Sequence, residues 1–157
     1  ILLYYMKFIK IKVLSLKNTI NFIKKKIMKD IKDFLRSNNL RPTKQRVLIA
    51  EYLFDGENKH VTAEKLSNEL NRRKTGISLA TVYNTLHDFY ERGLLKKLSL
   101  GLDRVYFDTN TDHHHHFYSD KEQLLIDINN KLKVSGLPKL PKNKKTNKIE
   151  VIVHLDN

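Results

Sequence analysis

The sequence predicts an α+β fold in two parts, and three observations carry the prediction. Between residues 30 and 92, apolar residues recur every three or four positions, the period of helices that bury one face. From residue 94 onward, short runs of branched and aromatic residues stand between turn residues, as strands do. At 40% hydrophobic over 157 residues, the chain has the apolar content for a folded core and the length for one medium domain or two small ones.

The elements follow in order. Ile31, Phe34 and Leu35 share one face of a first helix, which Asn38-Asn39 ends. Arg41-Pro42-Thr43 restarts the chain, and Val47, Leu48, Ala50, Tyr52 and Leu53 place a second helix over roughly 43–54. Residues 55–58 form a turn. Thr62 is the N-cap of a third helix, with Glu64 favouring its dipole, and Leu66 and Leu70 on its buried side. That helix ends near Arg73, and Gly76 breaks the pattern. Ser78 caps a fourth helix, whose Leu79, Val82, Leu86 and Phe89 form an apolar stripe, and Gly93 stops it. Leu94–Leu98 and Val105–Phe107 read as strands around Gly101-Leu102-Asp103. Four helices and a hairpin in this order predict a winged helix-turn-helix over residues 29–108.

Residues 109–157 change character. His114–Tyr118 and Leu124–Ile128 read as strands, and residues 129–148 as a polar, lysine-rich connection containing Pro138 and Pro141. Ile149, Val151, Val153 and Leu155 alternate with Glu150, Ile152, His154 and Asp156, a last strand of period two. A three-stranded sheet this small cannot bury its own core, so a second copy of the chain is expected to cover it. The expectation for this part is a small α/β dimerisation and metal- or heme-sensing domain.

The net charge of +13 is uneven. Residues 1–28 are lysine-rich without an acid, and residues 139–148 carry five more lysines. Residues 30–104 hold 14 basic and 10 acidic residues, whereas residues 105–138 hold 3 and 5. The helical half is therefore the one suited to phosphate. Residues 1–28 read as a basic extension: a helical arm on DNA or, as the expectation here, an over-extended start ahead of Met28. The absence of cysteine excludes disulfides, thiolate zinc sites and iron–sulfur clusters. No stretch approaches 18 consecutive apolar residues and no signal-peptide pattern is visible, so a cytoplasmic protein without a membrane partner is expected.

Two sets of residues carry chemistry. On the fourth helix, Ala80, Thr81, Asn84, Thr85 and Asp88 point away from the apolar stripe, with Tyr83 at its margin. Small groups at the helix start permit close approach to a major groove, where Tyr83 can touch a thymine methyl and Asn84 an adenine edge. Arg41, on a stiff loop before Pro42, suits a narrow A·T-rich minor groove, and Lys44, Arg46 and Arg104 suit phosphates. The second set is the run His113–His116, bracketed by Asp108, Asp112 and Asp127. In a strand, His114 and His116 share one face and His113 and His115 the other, so each pair can hold a divalent ion. His60 and His154 are lone histidines to which spacing assigns no role. His87, on the fourth helix, suits a DNA contact or the surface.

At Leu40–Arg46, His60–Glu64, Ser78–Leu86 and the histidine run ending in Ile126-Asp127-Ile128, the chain resembles the ferric uptake regulator family. Within it, Tyr106–Asn110 leading into the histidines and then Phe117-Tyr118 are most similar to the alphaproteobacterial iron response regulator branch. The resemblance implies a dimeric winged-helix regulator, mainly a repressor, that binds A·T-rich promoter palindromes of iron and heme homeostasis genes. It implies that His60, from the DNA-binding half, joins Asp108, His114, His116 and Asp127 around Fe2+, Mn2+ or Zn2+. Such a site would set the spacing of the two recognition helices and select one DNA-competent conformation. The family's structural-zinc cysteine pairs are missing, with Ser119 and Glu122 near where one pair would sit; the iron response branch shares that absence and also responds to heme. No Cys-Pro heme motif exists, so heme would be ligated by histidine, with His113 and His115 as the heme or second-metal pair.

Two other classes of function compete with this one. A histidine-dependent metalloenzyme lacks support, for there is no HExxH pair, nucleophile or phosphate-binding Gly loop, and no enzyme is expected. A winged-helix adaptor with a dimerisation tail and no ligand is the remaining alternative.

Overall fold

Hydroxyl side chains start three of the helices. In the computed structural model, which describes residues 30–100, 104–128 and 132–156, helix α1 covers residues 30–37, α2 Lys44–Leu53, α3 Ala63–Arg72 and α4 Leu79–Glu91. Thr43, Thr62 and Ser78 accept the amides of Arg46, Lys65 and Thr81 at 3.3, 3.2 and 3.2 Å. Each cap satisfies an amide that the helix itself leaves unpaired, for about 1 kcal/mol. Asn39 turns the chain out of α1 at φ 57°, and Gly93 ends α4 at φ 71°, where a residue with a Cβ would be strained. The extension 1–28 and the turn at Gly101–Asp103 lie outside the described residues.

The helices meet through Leu35, Ile49, Leu53, Leu66, Leu70, Val82, Leu86 and Phe89, all buried. Phe34, Phe54 and Phe89 pack in series with tilted rings, their centres 5.1 and 5.7 Å apart. Each such aliphatic or aromatic side chain contributes about 1.5–3 kcal/mol by leaving water. Two positions on α4 differ from expectation. Leu79 is 47% exposed, and Thr85, expected outside, is 5% exposed. The buried stripe is centred on Val82, Thr85, Leu86 and Phe89, and at 100° per residue Leu79 stands about 70° from its middle.

Three strands complete this unit: β1 His60–Val61, β2 Lys96–Leu100 and β3 Arg104–Asp108, antiparallel in the order β1-β3-β2. β2 and β3 form the expected hairpin. β1 escaped prediction because two residues have no readable period. It places His60 opposite Asp108, and Lys59 and Thr109 extend the pairing with bonds of 3.0 and 2.8 Å.

The chain divides into two compact units between Thr109 and Asn110. In the second, β4 (His115–Ser119) pairs antiparallel with β5 (Leu124–Ile128) and parallel with β6 (Ile152–Leu155), giving the order β5-β4-β6. The last strand starts at Ile152 rather than Ile149. One face of this sheet carries Phe117 between Ile126 and Val153, and Ser119 between Leu124 and Leu155. Leu124, Ile126 and Leu155 are about 40% exposed there, at 42, 44 and 39%. Among the described residues, no helix is long and apolar enough to cross a membrane.

Candidate metal centre and nucleic-acid face

The β4–β5 register puts His116 opposite Asp127 on the sheet face away from Phe117. His114, one residue ahead of β4, stacks edge-on to His116 at 4.3 Å between ring centres. Both rings aim Nε2 at the same carboxylate oxygen: Asp127 Oδ1 lies 3.2 Å from His114 and 3.6 Å from His116. One ligand atom from each of the three lies within 4.8 Å of the others. Asn110 donates its side-chain amide to Asp127 Oδ2 at 3.1 Å, orienting the carboxylate. The His114 Nδ1 stands 2.8 Å from the carbonyl of Asp112. A carbonyl only accepts, so Nδ1 carries a proton, which leaves Nε2 as the ring nitrogen that faces Asp127.

Two imidazole nitrogens converging on a half-buried carboxylate make a site for positive charge. A proton on one ring can supply it, as can a divalent metal. Nitrogen and oxygen donors of this kind suit Fe2+, Mn2+ and Zn2+. The Asn110 and Asp112 contacts are the outer-shell partners that such ligands need to hold one orientation.

A second pair stands in the first unit. Asp108 is fully buried, and His60 Nε2 lies 3.6 Å from its Oδ1. The short β1–β3 pairing creates this contact between residues 48 positions apart. An ionised carboxylate at such a position is stable only with a compensating cation or donors, and His60 is one such partner.

The other histidines are placed differently. His113 Nε2 lies 3.0 Å from the Ile149 carbonyl, and His115 Nδ1 accepts the Val151 amide at 3.3 Å. These contacts tie the start of β4 to the approach of β6, which accounts for the late start of that strand. Desolvation, reinforced by His113, His114 and His116, holds His115 below the ordinary histidine pKa of 6.5. His87 is exposed beside Glu91 at 3.7 Å. The His154 ring stands edge-on to Tyr118 at 5.6 Å. Ser119 accepts the amide of Glu122 at 3.3 Å, closing the β4–β5 turn without a thiolate site.

On α4 the outward face is centred on Ala80, Asn84 and His87, all exposed, with Tyr83 47% exposed beside them and Thr81 half-buried. Thr85 does not belong to this face. Lys44 opens α2 on the surface, and Arg104 opens β3 at the wing, half-buried. Arg41 is exposed on the loop before α2. Arg46 is committed within the protein: its guanidinium pairs with Asp88 at 2.5 Å and donates to the Arg41 carbonyl at 2.8 Å. Asp88 and the Arg41 carbonyl thus compete with any phosphate for this guanidinium.

The model described as the ferric uptake regulator family matches residues 37–154, about three quarters of the chain. The chain belongs to the ferric uptake regulator family. Members of this family are metal-binding transcription regulators and not enzymes. The chain is 35% identical over 94 residues to the peroxide-responsive repressor PerR of Staphylococcus epidermidis, covering 60% of this chain and 62% of that protein. It therefore spans about three fifths of the length of the curated relatives it matches. Among solved structures, the ferric uptake regulator of Vibrio cholerae superposes with a TM-score of 0.62 at 21% identity, covering 78% of this chain and 96% of that one. The regulator of Francisella tularensis, solved with iron, gives 0.60 at 17% identity, covering 75% and 92%. These likenesses establish the fold class: a winged-helix part followed by a dimerisation-type part, as the sequence predicts.

Proposed function

We propose that this chain is a homodimeric, metal-dependent DNA-binding regulator, mainly a repressor, acting at A·T-rich promoters. The observation that carries the proposal is the cluster of His114, His116 and Asp127, with His116 buried and the other two half-buried, held in the same chain as a helix with an exposed Ala80-Tyr83-Asn84 face. One supplies a ligand-dependent charge and the other a surface that fits a major groove. We further propose that His60 and Asp108 ligate the same cation as the three residues of the second unit. Three ligands alone leave a divalent ion with positions to fill, and the family resemblance assigns these two. The metal would supply fixed positive charge to the carboxylates and a reason for the ligands to stay in one arrangement. The uncovered face bearing Leu124, Ile126 and Leu155 supports pairing with a second copy.

The finer reading is control of iron and heme homeostasis genes, in the manner of the iron response branch. Four adjacent imidazoles without any thiolate support it, with His113 and His115 as the heme or second-metal pair. The test is binding to an A·T-rich palindromic duplex by apo, Fe2+-, Mn2+-, Zn2+- and heme-loaded chain. DNA affinity that no ligand changes would leave a ligand-independent adaptor.

The base-reading role has its own expected outcome. Replacing Tyr83 or Asn84 with alanine should weaken specific binding by about 1–3 kcal/mol for each base that is no longer read. Binding to random DNA should change little, because phosphate contacts supply it. Fluorescence anisotropy on the two duplexes checks this, and equal losses on both would remove the role.

A further inference from the structure

We propose that Arg46 and Asp88 are positioning residues that hold the Arg41 loop in a fixed place against the recognition helix, and so set the preference for A·T-rich flanking DNA. The inference rests on the DNA-binding reading above and gives it a specificity determinant. Arg46 stands on the first turn of α2 and Asp88 on the last half of α4. One arm of the guanidinium pairs with Asp88 Oδ2 at 2.5 Å, and another donates to the Arg41 backbone carbonyl at 2.8 Å. A single planar group thus ties the loop to the helix. The Arg46 side chain is 19% exposed and that of Asp88 47%, so the link is shielded from water and salt on the arginine side alone. The rigid planar fork of arginine suits this double contact, which a lysine cannot reproduce.

The tie leaves the Arg41 side chain itself at the surface, where among the described residues it has no ion-pair partner. Pro42 stiffens the loop on one side, and the Asn39 turn at φ 57° bounds it on the other. Arg41, Arg46 and Asp88 line one polar cleft, together with Glu91 and Arg92 of the α4 end. The geometry hands the loop cation to a minor groove while α4 lies in the adjacent major groove. Asp88 is then an acid kept on a DNA-facing surface for what it holds in place.

That assignment predicts a sign opposite to simple electrostatics. Deleting an acid beside phosphates should tighten DNA binding; under the positioning role, Asp88→Asn should weaken it. The experiment compares the whole chain and its variants on two duplexes sharing one palindromic core, with A·T-rich or G·C-rich flanks. Asp88→Asn is expected to bind the A·T-flanked duplex about three- to fivefold more weakly, the scale of removing one charge-assisted tie. It should also abolish the preference between flanks. Arg46→Lys keeps the charge without the fork, and should show the same effect. In an Arg41→Ala background, Asp88→Asn should weaken binding no further, because the two act through one contact. Thermal melting of each variant separates these effects from unfolding. Unchanged or tighter binding by Asp88→Asn, with flank preference intact, overturns the positioning role while leaving the DNA reading standing. If the unaltered protein binds neither duplex, the DNA reading fails and the positioning role goes with it.

Discussion

Asp127→Asn is expected to lower affinity for Mn2+ or Zn2+ by about a hundredfold or more, beyond what losing an outer-shell partner costs. The substitution preserves shape and still offers an oxygen to the Asn110 side chain. It removes the negative charge toward which His114 and His116 both aim Nε2, at 3.2 and 3.6 Å. The fold should persist, because the cluster is one polar patch on a sheet whose pairing is made by backbone bonds. Thermal stabilisation by metal, about 2.7 kcal/mol when metal stands at 100 times its Kd, should vanish in the variant at metal concentrations that stabilise the parent. Acid should release metal from the unaltered protein, since imidazoles ligate only when neutral, so affinity falls as pH falls. Calorimetric titration of parent and variant decides the matter. An Asp127→Asn protein with parental metal affinity would remove Asp127 from the ligand set.

Much of the first unit was legible because its signals are local. Thr62 and Ser78 stand where caps must stand, Gly93 where a stop must stand, and the apolar spacing between them fixes the buried faces. Leu79 and Thr85 show the limit of that reading. A stripe read at spacings of three and four has soft edges, and packing of the neighbouring helices decides which margin is covered. Pairings between distant parts of the chain were not legible. Nothing near Arg46 announces that its partner is Asp88, 42 positions on, so a residue suited to phosphate became an internal tie. β1 is two residues long, yet it brings His60 to Asp108. The alternation that pairs His114 with His116 and His113 with His115 follows from strand geometry. That His113 and His115 reach Ile149 and Val151, 36 positions away, does not.

His60→Gln is expected to weaken the coupling of metal to DNA without unfolding the protein. Glutamine keeps an N–H to face the buried Asp108, which alanine would remove. It removes the imidazole lone pair that a metal would take. Under the shared-cation proposal, Asp108 and the three ligands of the second unit can still hold metal, so binding should survive at lower affinity. DNA affinity should respond to metal far less, because only Asp108 of the first unit still holds the ion. The reason is thermodynamic: a ligand shifts a conformational equilibrium only by its differential affinity for the two states. With His60 gone, Asp108 is the first unit's one remaining proposed ligand, so the ion discriminates less between the arrangements of that unit. The apo protein should bind DNA as before, because Tyr83, Asn84 and Arg41 are untouched. The measurement is DNA affinity across a metal titration, for parent and variant, with metal binding followed in parallel. A His60→Gln protein that keeps both full metal affinity and a full metal response on DNA would sink the shared cation and leave His60 as a structural partner of Asp108.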